Sequence, residues 1–280
     1  MKTLIELNGV FYTRNDKNIL KDINIQVYSN QKIVILGENG SGKTTLLNML
    51  AGDIIPDKGT YSRGIETQLM GVVYDKFNLL PMMKVKELIK FFCVVYSKSY
   101  KSILDEYYDI FRLSSIINNQ VCSLSMGERS RISILVSLIN DPKCLILDEP
   151  FSNIDPTMQS TLYDVIFTHS RAIVYTTHNW SYDSVKEGTL IYTMHAGQLK
   201  KLREDLYNLL LHTRSNKKIV CHSHNLHDFN VDNTDFEFFK KDELTYIYGD
   251  PSLILDNIKT SKYDIEEIEM KDLYYLNNKH

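Results

Sequence analysis

The sequence has no uninterrupted apolar run approaching the roughly 18 residues that a bilayer-spanning helix requires, so no membrane anchor is expected within it. It also lacks a signal-peptide core, because the opening MKTLIELNGVF reads at once as strand. Any membrane role is therefore expected to come through a separate partner chain. Positive charge is not in excess: 32 Lys and Arg face 35 Asp and Glu, a formal net charge of −3. That balance argues against a nucleic-acid binder that relies on bulk positive potential. Cysteine is scarce, and Cys93, Cys122, Cys144 and Cys221 lie far apart with no CxxC pair. Reduced thiols in a cytosolic protein fit this better than a disulfide framework. Cys144 opens the apolar run CLIL and reads as core packing. Internal repeats, heptad arrays and low-complexity tracts are missing too, which argues against tandem and coiled-coil architectures.

What is present is an ordinary globular composition over 280 residues, enough for one large or two small domains. Up to about residue 200, β-like runs alternate with helical patterns, as in LIEL, KIVILG, TTLLNMLAG, ISILVSLI, CLILDEP and AIVYTTH. Such alternation predicts an α/β fold with a mostly parallel sheet covered by helices on both faces. Residues 78–140 are predominantly helical and read as an inserted helical lobe. After HAGQLKKL the composition shifts toward Tyr, Phe, Asp, Asn and Lys. The expected division is therefore residues 1–202 and a small C-terminal α+β unit over 203–280.

The first chemical motif is Gly37-Glu38-Asn39-Gly40-Ser41-Gly42-Lys43-Thr44, which satisfies GxxxxGK[ST] between the strand IVIL and the helix TTLLNML. The glycines let successive backbone N–H groups curl around a β-phosphate at the positive end of the helix. Lys43 is expected to reach the β- and γ-phosphates, and the Thr44 hydroxyl to ligate Mg²⁺, with Thr45 beside it in the same nucleotide site. The second motif is KCLILDEP. Four apolar residues make a buried strand, and acids follow at its carboxyl end, where ligands sit in open α/β sheets. Asp148 is the expected metal ligand, through water, and Glu149 the general base that polarises the attacking water.

The third motif, Ser123-Leu124-Ser125-Met126-Gly127-Glu128-Arg129, opens the helix RSRISILVSLI about twenty residues before the acidic strand. It resembles the ABC signature LSGGQ. Further landmarks of that family follow in order: Ser152-Asn153-Ile154-Asp155 resembles the D-loop, and Thr176-Thr177-His178 resembles the strand end that carries the switch histidine. Tyr12 stands where ABC ATPases place an aromatic residue against adenine, although a strand tyrosine can equally serve packing. Phe11, on the opposite face, is the expected core residue. On residues 1 to about 200 the chain is identified as a member of the ABC-type ATPases.

The resemblance implies an ABC ATPase fold: a RecA-like P-loop core, an antiparallel β subdomain and a helical lobe. It implies ATP and Mg²⁺ as cofactors, Glu149 and His178 as catalytic groups, and a second ATPase domain meeting the first head to tail. Ser125, Met126, Gly127 and Glu128 would then face the γ-phosphate of the partner's nucleotide, with Asp155 in the D-loop. Helix geometry alone gives Ser125 a second reading as an N-cap with Glu128 at the third position, and both can hold together. Three positions depart from the family pattern. Asp75 stands in MGVVYDKFNLLP where Gln is usual, and is either a metal ligand with Thr44 and Asp148 or a group turned to solvent. Met126 replaces a glycine, and Glu128 replaces a glutamine and adds negative charge near a triphosphate.

Exporter ATPases of the antibiotic-resistance and peptide-immunity kind resemble this chain most, in length and in the closing segment YDIEEIEMKDLYYLNNKH. They imply a membrane-spanning subunit on a separate chain, a position at the cytoplasmic face of the membrane, and no nucleic-acid partner. The expected membrane contact runs from Phe77 to Lys90, with Met82 and Met83 as adaptable contacts or as core packing. The alternative is a soluble ABC ATPase acting on ribosomes or DNA, but that class fuses two ATPase domains or carries a long coiled coil. Cys221, His222, His224 and His227 have residue types that bind zinc, yet no second cluster with finger-like spacing follows them.

Overall fold

Alternating apolar residues make the first two strands of the computed structural model, which describes residues 1–74, 80–178, 188–202, 217–222, 236–241, 244–249, 263–267 and 277. Strands β1 (Thr3–Arg14) and β2 (Lys17–Tyr28) form an antiparallel hairpin. The link is the pair Asn15 and Asp16, at φ 50° and 59°, a conformation that these two residue types tolerate in tight hairpin turns. Ile5, Leu7, Val10, Leu20, Ile23 and Ile25 are buried between the hairpin and the rest of the unit. Strand β4 (Lys58–Arg63) pairs with the other side of β1 and completes the antiparallel subdomain in the order β2-β1-β4.

The expectation that Phe11 is the core residue is corrected here. Phe11 is 39% exposed, while Tyr12 is half-buried opposite the fully buried Leu20. Register shifts between Leu7 and Val10 and between Val10 and Tyr12 break the two-residue period on which the expectation stood.

Strand β3 (Lys32–Leu36) leads through residues 37–42 into helix α1 (Lys43–Ala51). Strands β5 (Met70–Val73), β6 (Cys144–Leu147) and β7 (Ala172–Thr177) are parallel and in register, with Val73 beside Leu147 and Leu147 beside Tyr175. The beginning of β3 lies next to β7, where the Ile173 N–H donates to Gln31 O at 2.9 Å. All four residues of β6 are fully buried, as a strand covered on both faces demands. Helix α1 packs on β1, β2, β6 and β7.

The expected helical lobe consists of α2 (Val85–Val95), α3 (Tyr100–Tyr107) and α4 (Met126–Leu138), with residues 108–125, including two 3-10 turns, between α3 and α4. Helix α5 (Pro156–Thr168) follows β6 and begins on Asp155 and Pro156, a capping acid and a proline already set for the first turn. Of the expected membrane contacts, Met82 is exposed and Met83 half-buried, whereas Phe77 lies outside the described residues. Among the described residues no helix is long and apolar enough to cross a membrane.

The chain divides into two compact units, residues 1–33 with 42–177 and residues 34–41 with 178–280. The second holds the end of β3, the connection 37–41, and the antiparallel pair β8 (Leu190–His195) and β9 (Gln198–Lys201), in the order β3-β8-β9. It also holds a four-stranded antiparallel sheet of β10 (Lys217–His222), β11 (Phe236–Lys241), β12 (Leu244–Gly249) and β13 (Tyr263–Glu267), ordered β11-β12-β10-β13. Ile219, Ile247 and Tyr248 are its buried centre. Lys218 is buried there as well, with its ammonium 3.4 Å from Glu266 and over the Tyr246 ring. Of the four candidate zinc residues, His224 and His227 lie outside the described residues, and Cys221 and His222 are described by backbone alone.

Candidate functional site

Three parallel strands in register deliver their carboxyl ends to one edge of the sheet. β5 ends at Val73, just before Tyr74, β6 at Leu147, just before Asp148 and Glu149, and β7 at Thr177. Glu149 takes a left-handed φ of 45°, a conformation that costs a non-glycine residue about 1–3 kcal/mol. The surrounding structure holds it there: the Glu149 N–H donates to Thr176 Oγ1 on β7 at 3.0 Å. The same Thr176 hydroxyl donates to Asp148 Oδ1 at 2.6 Å. One side chain on the neighbouring strand therefore orients both acids.

Helix α1 supplies the opposing charge. Its N-cap, Gly42, has φ 110°, which an L side chain rarely adopts. The turn it permits places Lys43, 5% exposed, with Nζ 3.5 Å from Glu149 Oε1. Thr44 Oγ1 donates to the second Asp148 oxygen, Oδ2, at 2.6 Å. Asp148 is itself 4% exposed, and a hydroxyl donor on each oxygen helps to hold its buried charge. Thr45 is half-buried on the same first turn.

In the second unit, Gly37 is buried and Glu38, Asn39 and Gly40 are exposed. The Ser41 N–H donates to Glu38 O at 3.2 Å. Among the described residues Ser41 Oγ is buried without a hydrogen-bond partner, in a loop whose residue types suit phosphate oxygens. His178 is half-buried directly after β7. Within the first unit, the Lys43 ammonium and the Thr44 hydroxyl at the start of α1 have the chemistry that a nucleotide phosphate takes. Among the described residues no cluster of three or more His, Cys, Asp or Glu could hold a metal ion. The hard oxygen donors that Mg²⁺ would take here are the Thr44 hydroxyl and the Asp148 carboxylate. Asp75 lies outside the described residues, but the Tyr74 hydroxyl before it donates to Asp53, just beyond α1. Burial, followed by that bond to Asp53, raises the Tyr74 proton affinity well above the usual phenol range.

At the start of α4 both readings of Ser125 are visible. Its Oγ accepts from the Glu128 N–H at 3.3 Å, and its own N–H donates to Glu128 Oε2 at 2.8 Å. This is the reciprocal cap that the spacing predicts. Glu128 also lies 4.0 Å from Arg131, so its charge is turned onto the cap and a guanidinium. Met126 projects outward, 67% exposed. A Cβ at Gly127 would lie 2.3 Å from Asn153 O, so only glycine lets the D-loop backbone approach the helix this closely. Asp155 caps α5 by accepting from the Met158 N–H at 3.0 Å, and Gln159 Nε2 donates to Phe151 O and Ile154 O.

Sequence reasoning placed Thr176 and Asn153 within motifs but gave neither a role of its own, and it did not single out Tyr74. Thr176 was within reach, since it belongs to the Thr-Thr-His strand end. Nothing local to Asn153 marks its carbonyl as the surface against which Gly127 packs.

Comparisons with known proteins agree with this geometry. Residues 20–152 match the family model described as ABC transporter. The chain is 31% identical over 206 residues to the lipoprotein-releasing system ATP-binding protein LolD of Saccharophagus degradans, covering 65% of this chain and 89% of that one. It is 32% identical over 196 residues to the spermidine/putrescine import ATP-binding protein PotA of Fusobacterium nucleatum, covering 65% of this chain and 52% of that one. It is 28% identical over 195 residues to the Nod factor export ATP-binding protein I of Rhizobium etli, covering 63% and 60%. Among solved structures it shares its fold, at TM-score 0.60 and 21% identity, with a dimeric ATP-binding cassette in a post-hydrolysis state bound to ADP and Pi. That match covers 71% of this chain and 99% of the other. By its motifs, its fold and these relatives, the chain belongs to the ABC transporter family as an ATP-binding subunit and is an ATPase.

Proposed function

We propose that this ATPase is the motor of an exporter whose membrane-spanning subunit is a separate chain. In this reading two ATPase domains close head to tail on ATP, and the chain works at the cytoplasmic face of the membrane. The observation that carries the ATP-driven part of this reading is the pairing of Lys43 with Glu149 at 3.5 Å. Cation and base neutralise each other, so an incoming phosphate competes for Lys43. Its arrival draws the ammonium away and leaves Glu149 available to accept a proton from water. A Mg²⁺ ion held by Thr44 and Asp148, with Asp75 as a proposed third ligand, would neutralise charge on the phosphates. His178 then contacts the γ-phosphate, and adenine rests on Tyr12. Ser125 and the Gly127 amide meet the terminal phosphate of the partner's nucleotide.

Relatives named for import and for export both match the chain. Export is favoured by the closing segment, YDIEEIEMKDLYYLNNKH, which resembles the tails of exporter ATPases, and residues 203–280 are the proposed accessory domain. Deleting the gene for an export motor should sensitise cells to a toxic compound, whereas loss of an import motor should instead produce a nutrient requirement. For the ATPase itself, Glu149→Gln should keep ATP binding and lower turnover by a factor of about 10²–10⁴. With ATP and Mg²⁺ it should run as a persistent dimer on size exclusion. Turnover equal to the parent's would move the base elsewhere, with His178 the next candidate.

A further inference from the structure

Within the first unit, a cavity of about 520 Å³ opens between the start of α4, the 112–115 turn and the D-loop. Two guanidiniums line it, Arg112 and Arg131, and so do two carboxylates, Glu128 and Asp155. Both carboxylates are already engaged. Glu128 accepts from the Ser125 N–H at 2.8 Å and lies 4.0 Å from Arg131, and Asp155 accepts from the Met158 N–H at 3.0 Å. Arg131 is engaged as well, since its Nη1 donates to Phe111 O at 3.0 Å.

Arg112 is different. Its residue is exposed, and its guanidinium has no hydrogen-bond or ion-pair partner among the described residues. Its backbone sits at φ 47°, ψ 51°, a left-handed conformation that an arginine rarely takes. The Arg112 N–H donates to Asp109 O at 3.0 Å and its carbonyl accepts from Ser115 Oγ at 3.4 Å, which hold the turn. Burial lowers the Arg131 proton affinity; Glu128 raises it, and the nearby Arg112 charge lowers it again. Two like charges therefore share one cavity, and an anion placed between them relieves the repulsion.

We propose that Arg112 is a further phosphate contact of the signature face, donating to an oxygen of the nucleotide carried by a second copy of this chain. The proposal rests on the head-to-tail reading above and adds a residue to it. A guanidinium can meet a phosphate with two parallel N–H bonds, which a helix terminus alone does not supply. It also offsets the extra carboxylate that Glu128 brings to this face.

The test uses the full chain carrying Glu149→Gln, with ATP and Mg²⁺, and reads the dimer dissociation constant by sedimentation. Arg112→Gly should weaken dimerisation by about tenfold or more, the loss expected for one charge-assisted contact, and Arg112→Lys should fall between. ATP affinity of the monomer, read with a fluorescent analogue at low protein concentration, should stay at the parent's value. Glycine takes the left-handed turn without strain, so Arg112→Gly should also raise Tm by about 1–3 °C. Higher stability with weaker dimerisation is a combination that a structural role for Arg112 does not produce. Equal dimerisation of the parent and Arg112→Gly overturns the Arg112 assignment alone. A parent that stays monomeric in ATP overturns the head-to-tail reading and this assignment together.

Discussion

At the ends of β6 and β7 the charged groups are met by partners from this chain. Lys43 lies 3.5 Å from Glu149, and both oxygens of Asp148 accept from threonines at 2.6 Å. At the start of α4 the same unit does the reverse. Ser125 and Met126 are exposed, and a cavity of about 520 Å³ stands open with the Arg112 guanidinium facing no acceptor among the described residues. A site closed on itself answers a ligand by exchanging partners, so it can bind ATP within a single chain. A face left open gains its contacts only when something else brings the acceptor. In the proposed head-to-tail reading, the contrast separates the half of the chemistry that one copy can perform from the half that waits for a second.

The largest break in this comparison is Lys43→Ala. Loss of the loop's only side-chain cation should cost about 100-fold or more in ATP affinity, the scale of a charge-assisted phosphate contact. Equilibrium titration with a fluorescent ATP analogue checks it, and unchanged affinity would remove Lys43 from the site.

A smaller break is Thr176→Val, which keeps the shape but deletes the hydroxyl that joins the two acids. The Glu149 N–H and one Asp148 oxygen lose that partner, at a cost of about 1–3 kcal/mol in stability. Turnover should fall about tenfold, because Glu149 is then less firmly held in its strained turn, while ATP affinity stays within about threefold. Thr176→Ser should restore both. A calorimetric Tm and a steady-state rate measure the two effects, and a variant indistinguishable from the parent would show that the strand end needs no such clamp.

The mildest test sharpens the comparison chemically. Cys122 is exposed three residues before Ser125, whereas Cys144 is enclosed within β6 and burial pushes its thiol up to about 12. A maleimide at about pH 8 should therefore label Cys122 in the native chain and reach Cys144 only after unfolding. Peptide mass spectrometry reads the positions. Rapid native labelling of Cys144 would contradict the closed packing of β6.

Much of the candidate nucleotide site was legible beforehand because the features that define it are local. GENGSGKT carries its glycines, cation and hydroxyl within eight consecutive residues, and CLILDEP carries a buried strand and its terminal acids in the same way. The cap at Ser125 and Glu128 was legible for the same reason, being a bond between residues three apart. Phe11 was misread as core because alternation holds only in a regular ladder, and β1 shifts register on either side of Val10. The Tyr74–Asp53 bond could not be anticipated, since it joins residues 21 apart in sequence on separate elements.

By itself, then, the amino-acid sequence determined the elements whose causes lie within a turn or a strand: the phosphate loop, the acidic strand end, the helix caps and the alternation that makes a parallel sheet. Only the tertiary structure decided that Thr176 would bind both acids, that Gly127 would carry the Asn153 carbonyl 2.3 Å from where a Cβ would stand, and that Arg112 would share a cavity with Arg131. Those pairings depend on strand register and helix placement. Both are set by how the whole core packs, and no short window of residues contains that information.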